Sequence, residues 1–291
     1  MTHLRLATRG SAQATTQARA VADRLAVAGV DASLVVVETQ GDRTQADGVP
    51  LHAIGGQGVF TKEVQHAVLD GQADAAVHSA KDLPTENDPR LLIGAFTERR
   101  DPADALIGRR LADLAAGARV ATGSVRRRAQ LRRARPDLEF DELRGNIHTR
   151  LERIPPDGAI VMAAAALEVL DLTERIAERL DPLEFVPAVG QGCVALDCRV
   201  DDEATRDVLA LIDDAATRTS VEIERAFLSE LGSGCSLPVG AHVSGHRLVT
   251  FLASERTTHV ISETYELADD LERDLATAVA AARDALRRVD G

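Results

Sequence analysis

Tryptophan is absent, tyrosine occurs once, and aromatic residues make up 2% of the 291-residue chain. Stacking platforms for nucleic-acid bases are therefore lacking, and the cores must be built from Ala, Val, Leu and Ile. Lysine is nearly as scarce: Lys62 and Lys81 stand alone among 34 Lys and Arg residues. No stretch approaches the run of about 18 apolar residues that a membrane span requires, and the N-terminal MTHLRLATRGS holds no apolar segment of secretory-signal length. Three cysteines, an odd count, suit free thiols in a reducing compartment, and no pair has metal-site spacing. Net charge is −12, which argues against nucleic acid or an anionic membrane as a partner of the whole surface. The reading is a cytoplasmic protein with no metal, and monomeric, since no extended apolar interface or coiled coil is evident.

With 45% apolar residues the chain is globular, and its length allows two or three domains. The stretch that organises it is Ala73 to Pro84, ADAAVHSAKDLP. An apolar run of strand length ends in His78-Ser79-Ala80-Lys81-Asp82, and Leu83-Pro84 closes a turn. In open α/β sheets ligands bind beyond the carboxyl ends of strands, so Lys81 and Asp82 sit where chemistry is usually placed. A surface ion pair is the bland alternative for these two residues.

Other stretches share that design. A strand at Leu4 to Ala7 leads through Arg9 to Ser11, a plausible N-cap of a helix over about 12–28, and a helix N-terminus after a strand favours anions. Residues 39–58 read as a long glycine-bearing loop. Arg119 to Thr122 is a strand, Gly123-Ser124 a turn, and a helix then begins with Arg126 and Arg127. Arginine at a helix start opposes the dipole, so an anion that uses both amides and guanidinium groups accounts for the pair. A strand over 138–143 ends in Arg144-Gly145-Asn146 before a helix carrying Arg150. The alternation of strands and helices implies mostly parallel sheets. Segments 97–101 and 187–191 have hinge composition. The last 75 or so residues read as an α+β module, with Cys235 in a Gly-Ser-Gly-Cys loop, where a thiol is either buried filler or an accessible nucleophile or attachment point.

The segments LRLATRGS (4–11), GGQGVFTKE (55–63), AAVHSAKDLP (75–84), ATGSVRRRAQL (121–131), LRGNIHTRL (143–151), VPAVGQGCVALDCR (186–199) and ERAFLSELGSGC (224–235) together resemble the porphobilinogen deaminase (hydroxymethylbilane synthase) family across nearly the whole chain. The resemblance implies an α/β fold class: two periplasmic-binding-protein-like α/β domains, 1–97 with 193–216 and 98–192, plus a small C-terminal α+β domain, 217–291. It implies a transferase that joins four porphobilinogen molecules head to tail with release of ammonia, giving hydroxymethylbilane. A dipyrromethane cofactor is expected on Cys235 through a thioether, with Asp82 as the catalytic group. Lys81, Asp82, Thr122, Ser124, Arg126, Arg127, Arg144 and Gly145 are expected at the cofactor, and Arg9, Ser11, Arg144 and Arg150 at the substrate. Chemistry agrees with these roles: a carboxylate stabilises the cationic azafulvene left when ammonia departs, and arginine forks suit acetate and propionate side chains. Two positions depart from the family pattern, Gln57 in place of a common lysine and Val169 in place of a common arginine. From another class, a non-catalytic two-lobed binder of a small polycarboxylate explains the arginines but neither Asp82 nor the cysteine loop.

Overall fold

The computed structural model describes residues 3–39, 61–232, 237–254 and 259–289. The expected loop over 39–58, Gln57 and Cys235 fall wholly or largely outside these residues. Along the chain, β1 (His3–Arg9) leads to α1 (Ala12–Val27), which Ser11 caps by accepting from the Ala14 amide, then to β2 (Asp31–Val37). Next come α2 (Lys62–Leu69), β3 (Ala75–Ser79), a single 3₁₀ turn at Ala80–Asp82, and β4 (Leu91–Phe96). The chain continues with β5 (Asp104–Gly108), β6 (Arg119–Ala121), α3 (Val125–Ala134), β7 (Glu139–Asp141), α4 (Ile147–Leu151), β8 (Ala159–Ala163), α5 (Ala164–Glu168) and β9 (Ile176–Arg179). It closes with β10 (Val194–Arg199), α6 (Glu203–Ala210), α7 (Ala215–Glu230), β11 (Val239–Ser244), β12 (Arg247–Ala253), β13 (Val260–Glu266) and α8 (Leu271–Val289).

Two compact units result: Met1–Arg100 with Cys193–Arg218, and Asp101–Gly192 with Thr219–Gly291. The first is built on a five-stranded sheet of order β2-β1-β3-β10-β4. β1, β2 and β3 run parallel, and β10 lies antiparallel to both β3 and β4. Both faces are covered. Val77, Leu196 and Cys198 pack with Ala18, Val21 and Leu25 of α1, while Ala76 packs with Val64, Ala67 and Val68 of α2. Burial on two faces is why these strands read as nearly continuous apolar runs.

The second unit holds a five-stranded sheet of order β7-β6-β8-β5-β9, in which β5 is the antiparallel member. Each sheet thus contains three parallel strands in the order second-first-third, then one reversed strand, then a fifth. The reversed strand is in each case the first one formed after the chain crosses between sheets. This repeated, mostly parallel layout is the periplasmic-binding-protein-like arrangement expected from the sequence. Strands β5 and β9, which the sequence reading did not name, complete the second sheet.

The same unit contains an antiparallel sheet, β11-β12-β13, whose core joins Ile223 and Phe227 of α7 to Ala278, Ala281, Ala282 and Ala285 of α8. The alanine spacing forms one stripe along α8. Helix α7 runs without a break through residues 216 and 217, where the expected domain boundary lies. Among the described residues no helix is long and apolar enough to cross a membrane.

Candidate active site

In the first unit β1 and β3 are parallel neighbours, so their carboxyl ends deliver Arg9 and Ser79 to the same sheet edge. A cavity of about 40 Å³ opens there, lined by Arg9, Ser11, Gln13, Gln17, Thr61, His78, Ser79 and Asp82 among others. Ser11 Oγ accepts from the Ala14 amide at 3.3 Å, fixing the first turn of α1. Ser79 Oγ donates to Gln17 Oε1 at 3.0 Å, tying the end of β3 to that helix. Asp82 is carried by the 3₁₀ turn, which is anchored where the Ala80 amide donates to the Cys193 carbonyl at 2.9 Å. Lys81 occupies the same turn. The structure therefore brings Arg9, Ser11 and Asp82 together on one cavity.

In the second unit the residues named from sequence gather at two neighbouring strand ends, since β6 and β7 pair in parallel. At the first, Ser124 caps α3 by accepting from the Arg127 amide, and Thr122 Oγ1 accepts from the Ser124 amide at 3.2 Å. Arg126 and Arg127 start the helix, as expected, but the carboxylate that meets them belongs to the chain. Arg126 Nη1 donates to Asp104 Oδ2 at 2.7 Å, and Arg127 Nε and Nη2 reach Oδ1 at 2.9 and 2.8 Å. Gln191 Nε2 adds a bond to the same carboxylate at 2.9 Å, and Arg126 also donates to the Val186 carbonyl. Asp104 is 1% exposed. Burial alone raises its pKa, but the two guanidinium groups outweigh that effect and hold the carboxyl far below the usual range. Sequence reasoning missed Asp104, whose strand lies 22 residues before Arg126.

At the second strand end, Arg144 Nε donates to Glu142 Oε1 at 3.2 Å, and Arg150 Nε donates to the Gly145 carbonyl at 2.7 Å. Gly145 adopts φ +114°, and a Cβ there would stand 2.9 Å from the Thr149 methyl group, so glycine is required by backbone and space alike. Asn146 caps α4 by accepting from the Thr149 amide. Arg128 bonds the Thr122 carbonyl and Glu142. Val169 closes α5 and is half-buried. Cys193 and Cys198 are buried free thiols, and burial pushes Cys198 up to about 11, leaving it unreactive. Among the described residues no cluster of His, Cys, Asp and Glu is arranged to hold a metal.

Comparison with known proteins decides the assignment of this arrangement. Residues 4–207 match the family model "Porphobilinogen deaminase, dipyromethane cofactor binding domain", and residues 218–274 match "Porphobilinogen deaminase, C-terminal domain". The chain belongs to the porphobilinogen deaminase family. A porphobilinogen deaminase of Acidothermus cellulolyticus is 48% identical over 247 residues, 82% of this chain and 74% of that protein. One from Xanthomonas axonopodis pv. citri is 48% identical over 248 residues, 83% of this chain and 81% of its own length. Among solved structures, the methionine-binding protein MetQ aligns with a TM-score of 0.46 at 12% identity, over 75% of this chain and 92% of that one.

The donor set of the second unit suits the dipyrromethane group of the family. Buried Arg126 and half-buried Arg127 share one aspartate, leaving that cluster with a net positive charge beside the amino end of α3. At the next strand end, Gly145 takes a left-handed conformation with the Thr149 side chain packed where a Cβ would stand, and Arg144 and Arg150 flank it. Carboxylate-bearing rings are the complement of such a surface.

Proposed function

We propose that the chain is a hydroxymethylbilane synthase that condenses four porphobilinogen molecules head to tail, releasing one ammonia from each, with Asp82 as the group at the reacting atoms. The observation that carries this reading is Asp82 at the end of β3, on one cavity with Arg9 and Ser11, in a chain whose family is established. When ammonia leaves, the C–N bond breaks and positive charge spreads over the pyrrole ring and its N–H. A carboxylate within hydrogen-bond reach of that N–H stabilises the charge as it develops. Arg9, Ser11, Arg144 and Arg150 hold the acetate and propionate groups of the substrate. Lys81, Asp82, Thr122, Ser124, Arg126, Arg127, Arg144 and Gly145 hold the dipyrromethane group, which Cys235 anchors through a thioether. That group, when bound, supplies the acceptor pyrrole to which the first substrate is joined. Three domains serve this chemistry, residues 1–97 with 193–216, 98–192 and 217–291, in a monomer that works in the cytoplasm.

Intact mass of the purified chain beside Cys235→Ser tests the reading. The native chain is expected to carry the excess of two linked pyrrole units and the variant to lack it. A native chain that stays bare after incubation with porphobilinogen would return the protein to a non-catalytic binder of a polycarboxylate.

A further inference from the structure

Side chains alternate along a strand, so on β3 His78 shares a face with Ala76. Across the ladder Ala195 and Asp197 of β10 lie opposite these two residues. Helix α2 covers that face with Val64, Ala67 and Val68. Within this apolar layer three polar residues are buried: His78, Asp197 and Gln65. Gln65 Nε2 donates to Asp197 Oδ2 at 2.6 Å. His78 Nε2 stands 3.7 Å from the same oxygen, beyond a hydrogen bond. Among the described residues neither His78 Nε2 nor Asp197 Oδ1 has a hydrogen-bond partner. Leaving a buried polar group unpaired is destabilising, a penalty that an apolar residue at either position avoids. Of the three, His78 is the one that lines the cavity with Asp82.

A carboxylate facing one ring nitrogen favours the tautomer with hydrogen on that nitrogen. Nε2 then carries the proton and Nδ1 the lone pair. Burial lowers the pKa of His78, with Arg9 acting in the same direction, and together they outweigh the opposing Asp197 and Asp82. From α2 the facing residue is the neutral Gln65; Lys62 and His66 are exposed and Glu63 is half-buried. At neutral pH the imidazole is therefore an uncharged acceptor.

We propose that Asp197 and His78 form a proton-accepting dyad behind Asp82, which returns Asp82 to its ionised form after each condensation. The inference rests on Asp82 being the group at the reacting atoms. In a condensation, a ring carbon of the acceptor pyrrole bonds to the methylene carbon of the deaminated substrate. The C–H bond at that ring carbon breaks, its electron pair restores the aromatic ring, and the proton passes to Asp82. Asp82 hands it to Nδ1 of His78, giving an imidazolium whose Nε2–H faces Asp197. The proton then leaves with the released ammonia as ammonium. In this scheme His78 acts through Asp82 and is a positioning residue.

The first test needs no turnover. In the full-length chain purified without pyrroles, nitrogen-15 spectra, assigned with His78→Gln, report the tautomer and titration of His78. The Nε2–H tautomer is expected, with a midpoint below the ordinary histidine value that falls further in Asp197→Asn. The Nδ1–H tautomer, or a midpoint unmoved by Asp197→Asn, overturns the dyad. The second test is kcat against pH, with pyrrole loading of every variant checked by mass. His78→Gln is expected to lower kcat at least about tenfold with KM little changed, and Asp197→Asn to move the acid limb of kcat to lower pH. Structural damage alone lowers the melting temperature without moving that limb, so an unmoved limb, or an unchanged kcat in His78→Gln, overturns the role. If the wild-type chain consumes no porphobilinogen, the condensation reading fails and takes the role with it. The tautomer measurement separates that failure from failure of the dyad itself.

Discussion

Asp82 lines a cavity whereas Asp104 lies beneath two guanidinium groups, so asparagine at each position separates chemistry from architecture. Asp82→Asn keeps the size of the side chain and removes the charge that faces the developing cation. Turnover of porphobilinogen is expected to fall about 10²- to 10³-fold, while the melting temperature and the pyrrole mass on the chain stay as in the wild type; a normal rate would remove Asp82 from the mechanism. Asp104→Asn does the reverse. It leaves buried Arg126 and half-buried Arg127 without their shared carboxylate, and removing one partner of a buried ion pair such as Arg126–Asp104 costs about 3–5 kcal/mol. The native pKa of Asp104 is depressed, so its contribution is complete above the unfolded value of about 3.9 and is lost as pH falls toward the native value. Urea midpoints of wild type and variant should therefore differ most at neutral pH and converge below about pH 4. A constant gap across that range would show that the charge of Asp104 is not what stabilises the pair.

Strand ends were the legible part of this molecule. An apolar run followed at once by polar residues and a turn is local in sequence, and it placed Arg9, Ser11, Asp82, Ser124, Arg144 and Gly145 at the ends of strands or the starts of helices. The groups that meet these residues were not legible, because they arrive from other strands. Asp104 opens β5, whose five residues begin with a charge, and Asp197 is 132 positions from the Gln65 amide it accepts from. His78 belongs to a local motif, but its partner becomes visible once β10 is known to run antiparallel beside β3. Packing between elements is equally non-local. Gly240 of β11 pairs with Phe251 of β12, and a Cβ on it would lie 2.7 Å from the carbonyl oxygens of Pro187 and Val186. Backbone cannot yield as a flexible side chain can, so Gly240→Ala is expected to push β11 away and cost about 1–3 kcal/mol. Hydrogen exchange along β11 and β12 reads the effect: protection there should fall in the variant, and unchanged protection would mean that the strand has room to shift.

Charge sets two opposing effects across the whole protein. With 46 acidic residues against 34 Lys and Arg, the net −12 repels a substrate that itself carries carboxylates, whereas arginines at the strand ends attract it over a few ångströms. Range decides which effect salt reveals. The Debye length is about 8 Å at 0.15 M and about 3 Å at 1 M, so repulsion from charges spread over the surface is already largely screened at the lower value. Adding salt beyond that point weakens mainly the short contacts between guanidinium groups and substrate carboxylates. Between about 0.15 and 1 M the KM for porphobilinogen is therefore expected to rise severalfold. Turnover at saturation should change less, because in the bound complex Asp82 acts on the developing charge at hydrogen-bond range, too close for an ion to come between them. Steady-state kinetics with chloride salts of sodium and potassium check this. A KM that falls steadily over the range would mean that net repulsion, and not the arginine contacts, governs capture of the substrate.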